Sequence, residues 1–148
     1  MEQLLADLEG LLTIASVGGS AAEAQAQDWV AHTLRSWGWE VDHWTDDPAT
    51  VRNHPDYPGM EVARTSVTGV IGRPPGSRGT RLILGHTDVV PGGPSPAVET
   101  QSIRGRGAVD MKAGLVAGMH AARDAGGDVA ICAVSGEEDG GIGAFLAL

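Results

Sequence analysis

Apolar residues near the N-terminus recur at intervals of three and four, which is the period of a helix with one buried face. Leucine occupies positions 4, 5, 8, 11 and 12, so residues 2–15 are predicted to be helical. Ser20 and Glu23 stand at the spacing of a capping box, which predicts a second helix that begins at Ala21. Gly38 is suited to the C-terminal cap of that helix.

Several shorter segments have the character of strands. Residues 39–44 alternate between apolar and polar side chains, and residues 62–71 and 81–84 are predicted to be two further strands. Because only a proline- and glycine-rich loop at residues 74–77 lies between them, these two strands are expected to pair antiparallel. Pro48 favours the start of a short helix after the first strand.

The last third of the chain alternates between helix and strand. Residues 111–125 have helical spacing, and residues 129–134 are almost wholly apolar, as expected for a buried central strand. Residues 140–148 begin another helix, whereas residues 91–104 hold three prolines and two glycines and are expected to be irregular. This order predicts an α/β fold in which helices cover a mixed sheet.

Composition restricts the possible functions. The chain has 148 residues, with 10 basic residues (Lys and Arg) against 19 acidic ones, so its formal charge is −9. This balance argues against nucleic acid as a partner, because phosphate contacts need clustered basic side chains. Cys132 is the only cysteine, no apolar run is long enough to span a membrane, and acids stand where a signal peptide needs basic residues. We therefore expect a cytoplasmic protein without an intrachain disulfide or a membrane partner.

The first cluster of candidate chemistry follows the predicted strand at residues 81–84. His86 and Asp88 are two positions apart, so they point to the same side of an extended backbone. Such a histidine can bind a metal with one ring nitrogen and donate the other N–H to the nearby carboxylate. The pair by itself is weak evidence, because an exposed loop histidine is the commoner case.

Two more clusters also lie beside predicted elements. Asp110 stands at the start of a predicted helix, where an ordinary capping role is equally compatible. Glu137, Glu138 and Asp139 directly follow the buried strand, and three consecutive acids repel one another unless something positive binds there. Ligands of α/β sheets gather at the carboxyl ends of strands, and one imidazole with several carboxylates suits zinc or a similar divalent ion.

A site of this kind predicts hydrolytic chemistry. A carboxylate that bridges two ions makes a two-metal site, which polarises a substrate carbonyl and activates water. A further carboxylate can accept the proton of that water and pass it to the leaving nitrogen. The spacing alone does not distinguish Glu137 from Glu138 in this second role.

Taken in order, three motifs resemble the acetylornithine deacetylase and succinyl-diaminopimelate desuccinylase family of zinc hydrolases, which includes aminoacylases and carboxypeptidase G-type enzymes. The motifs are residues 84–91 (LGHTDVVP), 105–112 (GRGAVDMK) and 137–143 (EEDGGIG). The pattern of helices and strands from residue 1 also fits, so the resemblance covers essentially the whole chain. It implies a zinc-dependent hydrolase that cleaves the amide bond of small N-acylated amino acids or peptides.

The resemblance also implies roles for individual residues. His86 would bind one of two zinc ions, Asp110 would bridge both, and Glu138 would bind the other. Asp88 would orient His86, and Glu137 would be the general base. The resemblance further implies a cis peptide bond after Asp110, cobalt or manganese as alternative metals, and a homodimer for the full-length form.

Two departures from the family pattern change this expectation. Residues 91–104 are shorter than the corresponding family segment and lack its Trp and Asp-Pro-Phe, so a rim of the substrate pocket is expected to be missing or reshaped. The family also has another acidic ligand after Glu138, a final histidine ligand and an inserted lid or dimerisation domain, none of which has a counterpart here. We therefore expect residues 1–148 to be the N-terminal portion of the catalytic metal-binding domain, truncated at the C-terminus and inactive alone.

Two other functions stay open. A two-zinc aminopeptidase also uses a His-x-Asp pair, a bridging Asp and a Glu pair, but it needs a substrate with a free amine. The second alternative is a catalytically inactive fragment, or a fold-complementing partner of another chain. A serine hydrolase is disfavoured, because the sequence contains no Gly-x-Ser-x-Gly.

Overall fold

The helices and strands alternate along the chain much as their sequence patterns predict. A computed structural model describes residues 1–99, 102–125 and 127–148. The helices are α1 (Glu2–Leu12), α2 (Ala21–Ser36), α3 (Ala113–Ala125) and α4 (Ile142–Ala147). The strands are β1 (Glu40–Asp46), β2 (Val67–Arg73), β3 (Arg81–His86), β4 (Ala97–Val98), β5 (Ile103–Arg104) and β6 (Val129–Val134), and a 3₁₀ turn covers Pro48–Val51.

The main sheet is mixed and has the strand order β1-β2-β6-β3. β6 pairs antiparallel with β2 and parallel with β3. The predicted antiparallel pairing of residues 62–71 with 81–84 is therefore wrong, because β6 lies between these two strands. Its almost wholly apolar sequence favours a place with neighbours on both sides, and the α3 connection between β3 and β6 favours parallel pairing.

Three helices cover one face of this sheet. α2 packs on β1 and β2, α3 packs on β3 and β6, and α1 packs against α3. Ile131 and Ala133 of β6 contribute to the resulting core, while Cys132 and Val134 alternate towards the opposite side and are also buried. The mixed sheet with its helical cover is the predicted fold class. Within the described ranges, no helix is long and apolar enough to cross a membrane.

The element boundaries differ from the predicted ones where side chains form tertiary contacts. The Ser20 side chain accepts no capping hydrogen bond; instead the Glu23 carboxylate accepts the N–H of Gly19, 2.7 Å away. α1 ends at Leu12 rather than residue 15, and β2 begins at Val67 rather than residue 62. The segment before β2 is irregular because its backbone and side chains bind the turn that follows β6.

Irregular backbone also precedes α3. Residues Ala108–Lys112 form a wide helical turn that is interrupted at Asp110 (φ −119°, ψ 104°) and at Met111 (φ −129°, ψ 24°). Helix α3 therefore begins at Ala113, two residues later than predicted. This interruption places the Asp110 carboxylate outside the helix, where it is exposed.

Candidate metal centre

Three segments of the chain meet at one edge of the main sheet. β3 and β6 are parallel, so His86 at the end of β3 lies in register with the last residue of β6. The turn at residues 135–141, which we call the glutamate turn, follows β6 and carries both candidate glutamates. Asp110 lies at the interruption before α3, and its peptide bond to Met111 is cis, as the resemblance implies.

The structure brings His86, Asp110 and Glu138 together. One ligand atom from each residue lies within 4.8 Å of the other two. The Nε2 atom of His86 is 3.3 Å from Asp110 Oδ1 and 3.5 Å from Glu137 Oε2, so Glu137 borders the same group. His86 is buried, Glu138 is half-buried, and the Asp110 and Glu137 side chains are open to solvent.

Asp88 connects the histidine to the glutamate turn. Its backbone carbonyl lies 3.0 Å from Nδ1 of His86, whereas its carboxylate lies 3.6 Å from that nitrogen. The carboxylate instead accepts the backbone N–H groups of Glu137 and Glu138, at 3.2 and 3.0 Å. The contact of the Asp88 carbonyl with Nδ1 leaves Nε2 facing Asp110. The resemblance implies that Asp88 orients the imidazole; here the hydrogen-bonding contact is through its main chain.

Negative charge accumulates in this group. Partial burial of Glu138 raises the pKa of its carboxyl above the usual range, and the His86 imidazole acts in the opposite direction. The carboxylates of Asp110, Asp88 and Glu137 raise that pKa further. A cation among these side chains would relieve the repulsion, so their charge and position both favour cation binding.

The donor set fits a divalent metal ion. Ligand atoms that share one tetrahedral zinc ion, at about 2.1 Å from it, lie roughly 3.4 Å apart. The separation of 3.3 Å between His86 Nε2 and Asp110 Oδ1 matches that value. One neutral nitrogen donor with carboxylate oxygens is a common zinc environment. His86, Asp110 and Glu138 are therefore the residues that could hold the metal.

Asp139 does not join this group, although it follows the two glutamates directly. It is buried, and its Oδ2 atom lies 3.1 Å from Nη2 of Arg64. Arg64 Nη1 also donates to both carboxylate oxygens of Glu23, at 3.0 and 3.2 Å. A positive group is expected beside three consecutive acids. For Asp139, that group is the Arg64 side chain. Sequence analysis missed Arg64, since no motif surrounds it, and interpreted Glu23 only as a capping residue.

Lys112 is a second buried charge that sequence analysis missed. Its Nζ atom donates to the backbone carbonyls of Leu11, at 3.2 Å, and Ile14, at 2.7 Å. Burial lowers the pKa of the ammonium group to about 8, although the Asp88 carboxylate acts in the opposite direction. The lysine joins the C-terminal end of α1 to the segment that carries Asp110. The sequence feature that could have drawn attention to Lys112 is its position two residues after Asp110, within the second motif.

Comparisons with known proteins agree with this arrangement at the level of family profile and fold. Residues 82–148 match the profile of Peptidase family M20/M25/M40. A comparison with curated protein sequences gives no significant match. The profile match contains all the residues of the candidate metal centre.

Solved structures extend the likeness to nearly the whole chain. The M20 family metallo-carboxypeptidase Sso-CP2 from Sulfolobus solfataricus is 20% identical, with a TM-score of 0.63 over 93% of this chain and 31% of its own. The dipeptidase Dug1p from Saccharomyces cerevisiae is 18% identical, with a TM-score of 0.61 over 93% and 32%. A glutaminyl cyclase from Bacteroides thetaiotaomicron is 16% identical, with a TM-score of 0.61 over 90% and 45%.

These likenesses establish the fold only. Identities of 16–20% do not by themselves show that two proteins share an activity. The chain spans about a third of the length of the two peptidases. Its mixed sheet and the helices that cover it correspond to part of each of those longer chains. The described chain therefore has the α/β fold of the M20 peptidase catalytic domain, and residues 82–148 carry the sequence profile of that family.

Proposed function

We propose that the chain belongs to the M20 family and forms the N-terminal, metal-binding portion of the catalytic domain of an amide hydrolase. The convergence of His86, Asp110 and Glu138, with Glu137 beside them, is the observation that carries this proposal. The proposed substrates are small N-acylated amino acids or peptides, of the kind that acetylornithine deacetylase cleaves. That finer assignment rests on the three motifs at residues 84–91, 105–112 and 137–143.

The proposed cofactor is a pair of zinc ions, with cobalt or manganese as substitutes. His86 would hold one ion, Glu138 would hold the other, and the exposed carboxylate of Asp110 would serve both. When bound, the metal would polarise the substrate carbonyl and make water more acidic. The Asp88 carbonyl keeps the imidazole in place for this role, since it lies 3.0 Å from the ring nitrogen that faces away from Asp110.

Glu137 is the proposed general base. Its carboxylate is exposed and lies beside His86, so it can reach a water molecule that attacks the substrate carbonyl. It would take one proton from that water as the new C–O bond forms, and give it to the leaving nitrogen as the C–N bond breaks. A positioned base of this kind typically contributes 10²–10⁴-fold to the rate.

Glutamine variants of the two glutamates test these assignments. Glu138→Gln should weaken zinc binding to the chain by about 10-fold, because an amide oxygen carries no negative charge. Glu137→Gln should leave the zinc affinity within about twofold of the wild type, since this residue is not a proposed ligand. Calorimetric titration with Zn²⁺ measures both effects, and an exchange of the two phenotypes would reverse the assignment of base and ligand.

The substrate class separates this proposal from a two-zinc aminopeptidase. A deacylase needs a blocked substrate amine, whereas an aminopeptidase needs a free one. The longest open reading frame that contains these residues should be expressed, loaded with zinc and assayed on an N-acetyl amino acid and on an amino-acid anilide. Preferential hydrolysis of the acetylated substrate supports the deacylase, and preferential hydrolysis of the anilide would replace it with the aminopeptidase.

A further inference from the structure

The glutamate turn has little intrinsic rigidity. Gly136, Gly140 and Gly141 in this turn have positive φ angles of 74°, 83° and 82°. Glycine has more backbone freedom than any other residue, so a segment with three glycines among seven residues loses much entropy when it is ordered. Some contact from outside the turn must therefore hold Glu137 and Glu138 beside His86.

Asp88 supplies one such contact at the start of the turn. Its carboxylate accepts the N–H groups of Glu137 and Glu138. This contact restrains the backbone of the two glutamates from one side only. Gly140 and Gly141, at the other end of the turn, lie two and three residues beyond Glu138 and are not held by this contact.

Asp139 makes the contact at the far end. Its Oδ1 atom accepts the N–H of Glu61 and, at 2.7 Å, the N–H of Val62. Its Oδ2 atom lies 3.1 Å from Nη2 of Arg64, and the side chains of both partners are at least 97% buried. One carboxylate thus ties the turn to the irregular segment at residues 59–66, which leads into β2.

The arginine is itself anchored to the start of α2. Its Nη1 atom donates to both oxygens of Glu23, and Glu23 in turn accepts the N–H of Gly19. Arg64 thus uses Nη1 for Glu23 and Nη2 for Asp139, and contacts between charged groups of this kind are stronger than neutral hydrogen bonds. Through Arg64, the glutamate turn is connected to the N-terminal end of α2, which contributes no residue to the candidate metal centre.

We propose that Asp139, through Arg64, is a positioning residue that holds Glu137 and Glu138 of the glutamate turn towards His86 and Asp110. The geometry of the buried carboxylate, the two backbone amides and the anchored guanidinium carries this inference. It rests on the proposed function for its consequence, which is tighter metal binding. The placement of the turn itself does not depend on a metal.

Two measurements on the 148-residue chain test the proposal. Amide hydrogen exchange followed by NMR reports how firmly Glu137 and Glu138 are held, without any metal. Asp139→Asn should speed the exchange of these two amides at least 10-fold and leave α3 unchanged. Titration with Zn²⁺ should show about 10-fold weaker binding in the same variant, because removing a partner that orients ligands typically costs 10–100-fold in metal affinity.

Asp7→Asn is the matched control. Asp7 forms a part-buried hydrogen bond with His120, at 2.7 Å between Oδ2 and Nε2, where α1 packs on α3. Its loss should lower the midpoint of thermal unfolding, as the loss of Asp139 should, but should change neither the exchange at the glutamate turn nor the zinc affinity. A general loss of stability would instead change the two variants alike, and that result would overturn the proposal.

The remaining outcomes are also decisive. Unchanged exchange of Glu137 and Glu138 in folded Asp139→Asn overturns the inference, as does unchanged zinc affinity when the wild type binds zinc. If the wild type binds no zinc, the proposed function fails and the exchange experiment alone decides the inference. If Asp139→Asn does not fold, Arg64→Lys keeps the charge but offers a single nitrogen in place of the Nη1 that contacts Glu23 and the Nη2 that lies beside Asp139. It should then raise exchange at the same two amides several-fold, and no change would count against the proposal.

Discussion

Lys112 is the only lysine in the chain, and its ammonium group is almost wholly buried. The native pKa of about 8 lies below the usual value of 10.5, because burial disfavours the charged form. Between these two pH values the unfolded chain therefore binds more protons than the native chain does. The free energy of unfolding should rise with pH across that window, by up to about 3 kcal/mol from this residue.

The measurement compares the wild type with Lys112→Met by urea unfolding at several pH values between 7.5 and 10.5. Methionine is of similar length but does not titrate, so the variant should lack this rise. Amine-reactive labelling gives an independent check, since the amino group of exposed Met1 should react in the native protein and Lys112 only after unfolding. Equal pH dependence in both proteins would contradict the lowered pKa.

At the scale of single residues, motif spacing predicted the residues that lie together at the candidate metal centre but not those that support them. His86, Asp110 and the two glutamates stand in recognisable runs, so their proximity could be anticipated. Arg64 and Lys112 act through long-range contacts with backbone carbonyls and carboxylates that are far away in sequence. Nothing in their immediate neighbours encodes those partners, and only the folded chain brings them together.

At the scale of elements, α4 depends on a close approach between backbones. A Cβ atom at Gly143 would lie 1.8 Å from the carbonyl oxygen of Ser135, which belongs to the glutamate turn after β6. Backbone atoms cannot yield as the end of a flexible side chain can. Gly143→Ala should therefore destabilise the protein by about 3 kcal/mol, despite the better helix propensity of alanine.

Gly114 in α3 provides the matched control for that substitution. A Cβ atom there would have its nearest contact at 3.7 Å, with the end of the Met111 side chain, which is ordinary packing. Gly114→Ala should accordingly be neutral or stabilising, by up to about 1 kcal/mol. Thermal and urea unfolding of the two variants would measure the difference, and equal effects would show that α4 is not packed as described.

Helices and strands could be predicted where they depend on local residue patterns, but not where they depend on contacts between distant segments. The period of apolar residues is local, so it located α1, α2, α3 and β6 to within a few residues. The start of β2 was misplaced because Val62 and Ala63 are apolar and extend the strand pattern, whereas Val62 and Arg64 bind the glutamate turn instead of a neighbouring strand. Strand order was misjudged because a short loop suggests pairing, whereas β6, later in the chain, lies between the two strands.

At the scale of the whole molecule, the edge where β3 and β6 end combines the candidate metal ligands with an excess of negative charge. The formal charge of −9 is spread over the chain, but three carboxylates near Glu138 are close enough to raise its pKa. Attraction of a divalent cation to this edge should therefore depend on ionic strength. Because the side chains of Asp110 and Glu137 are open to water, added salt screens them effectively.

The same openness leads to a prediction for the isolated chain. Among the described residues, one imidazole and two carboxylates form the candidate metal group, whereas a zinc ion in a catalytic site usually has about three protein ligands of its own. Two ions would have to share these three side chains, one of which is a mostly exposed carboxylate. The 148-residue chain should consequently retain fewer than two zinc ions after dialysis and should not hydrolyse N-acetylornithine above the rate in buffer.

Metal analysis after dialysis and an assay of N-acetylornithine hydrolysis, with and without a chelator, check this expectation. Chelator-sensitive turnover together with two retained zinc ions per chain would contradict it. Asp139 could not then be the missing ligand without leaving Arg64, because its Oδ2 atom lies 3.1 Å from that guanidinium and its Oδ1 atom already accepts two backbone N–H groups. A second copy of the chain is one source of additional ligands, and sedimentation of the zinc-loaded protein would show whether it dimerises.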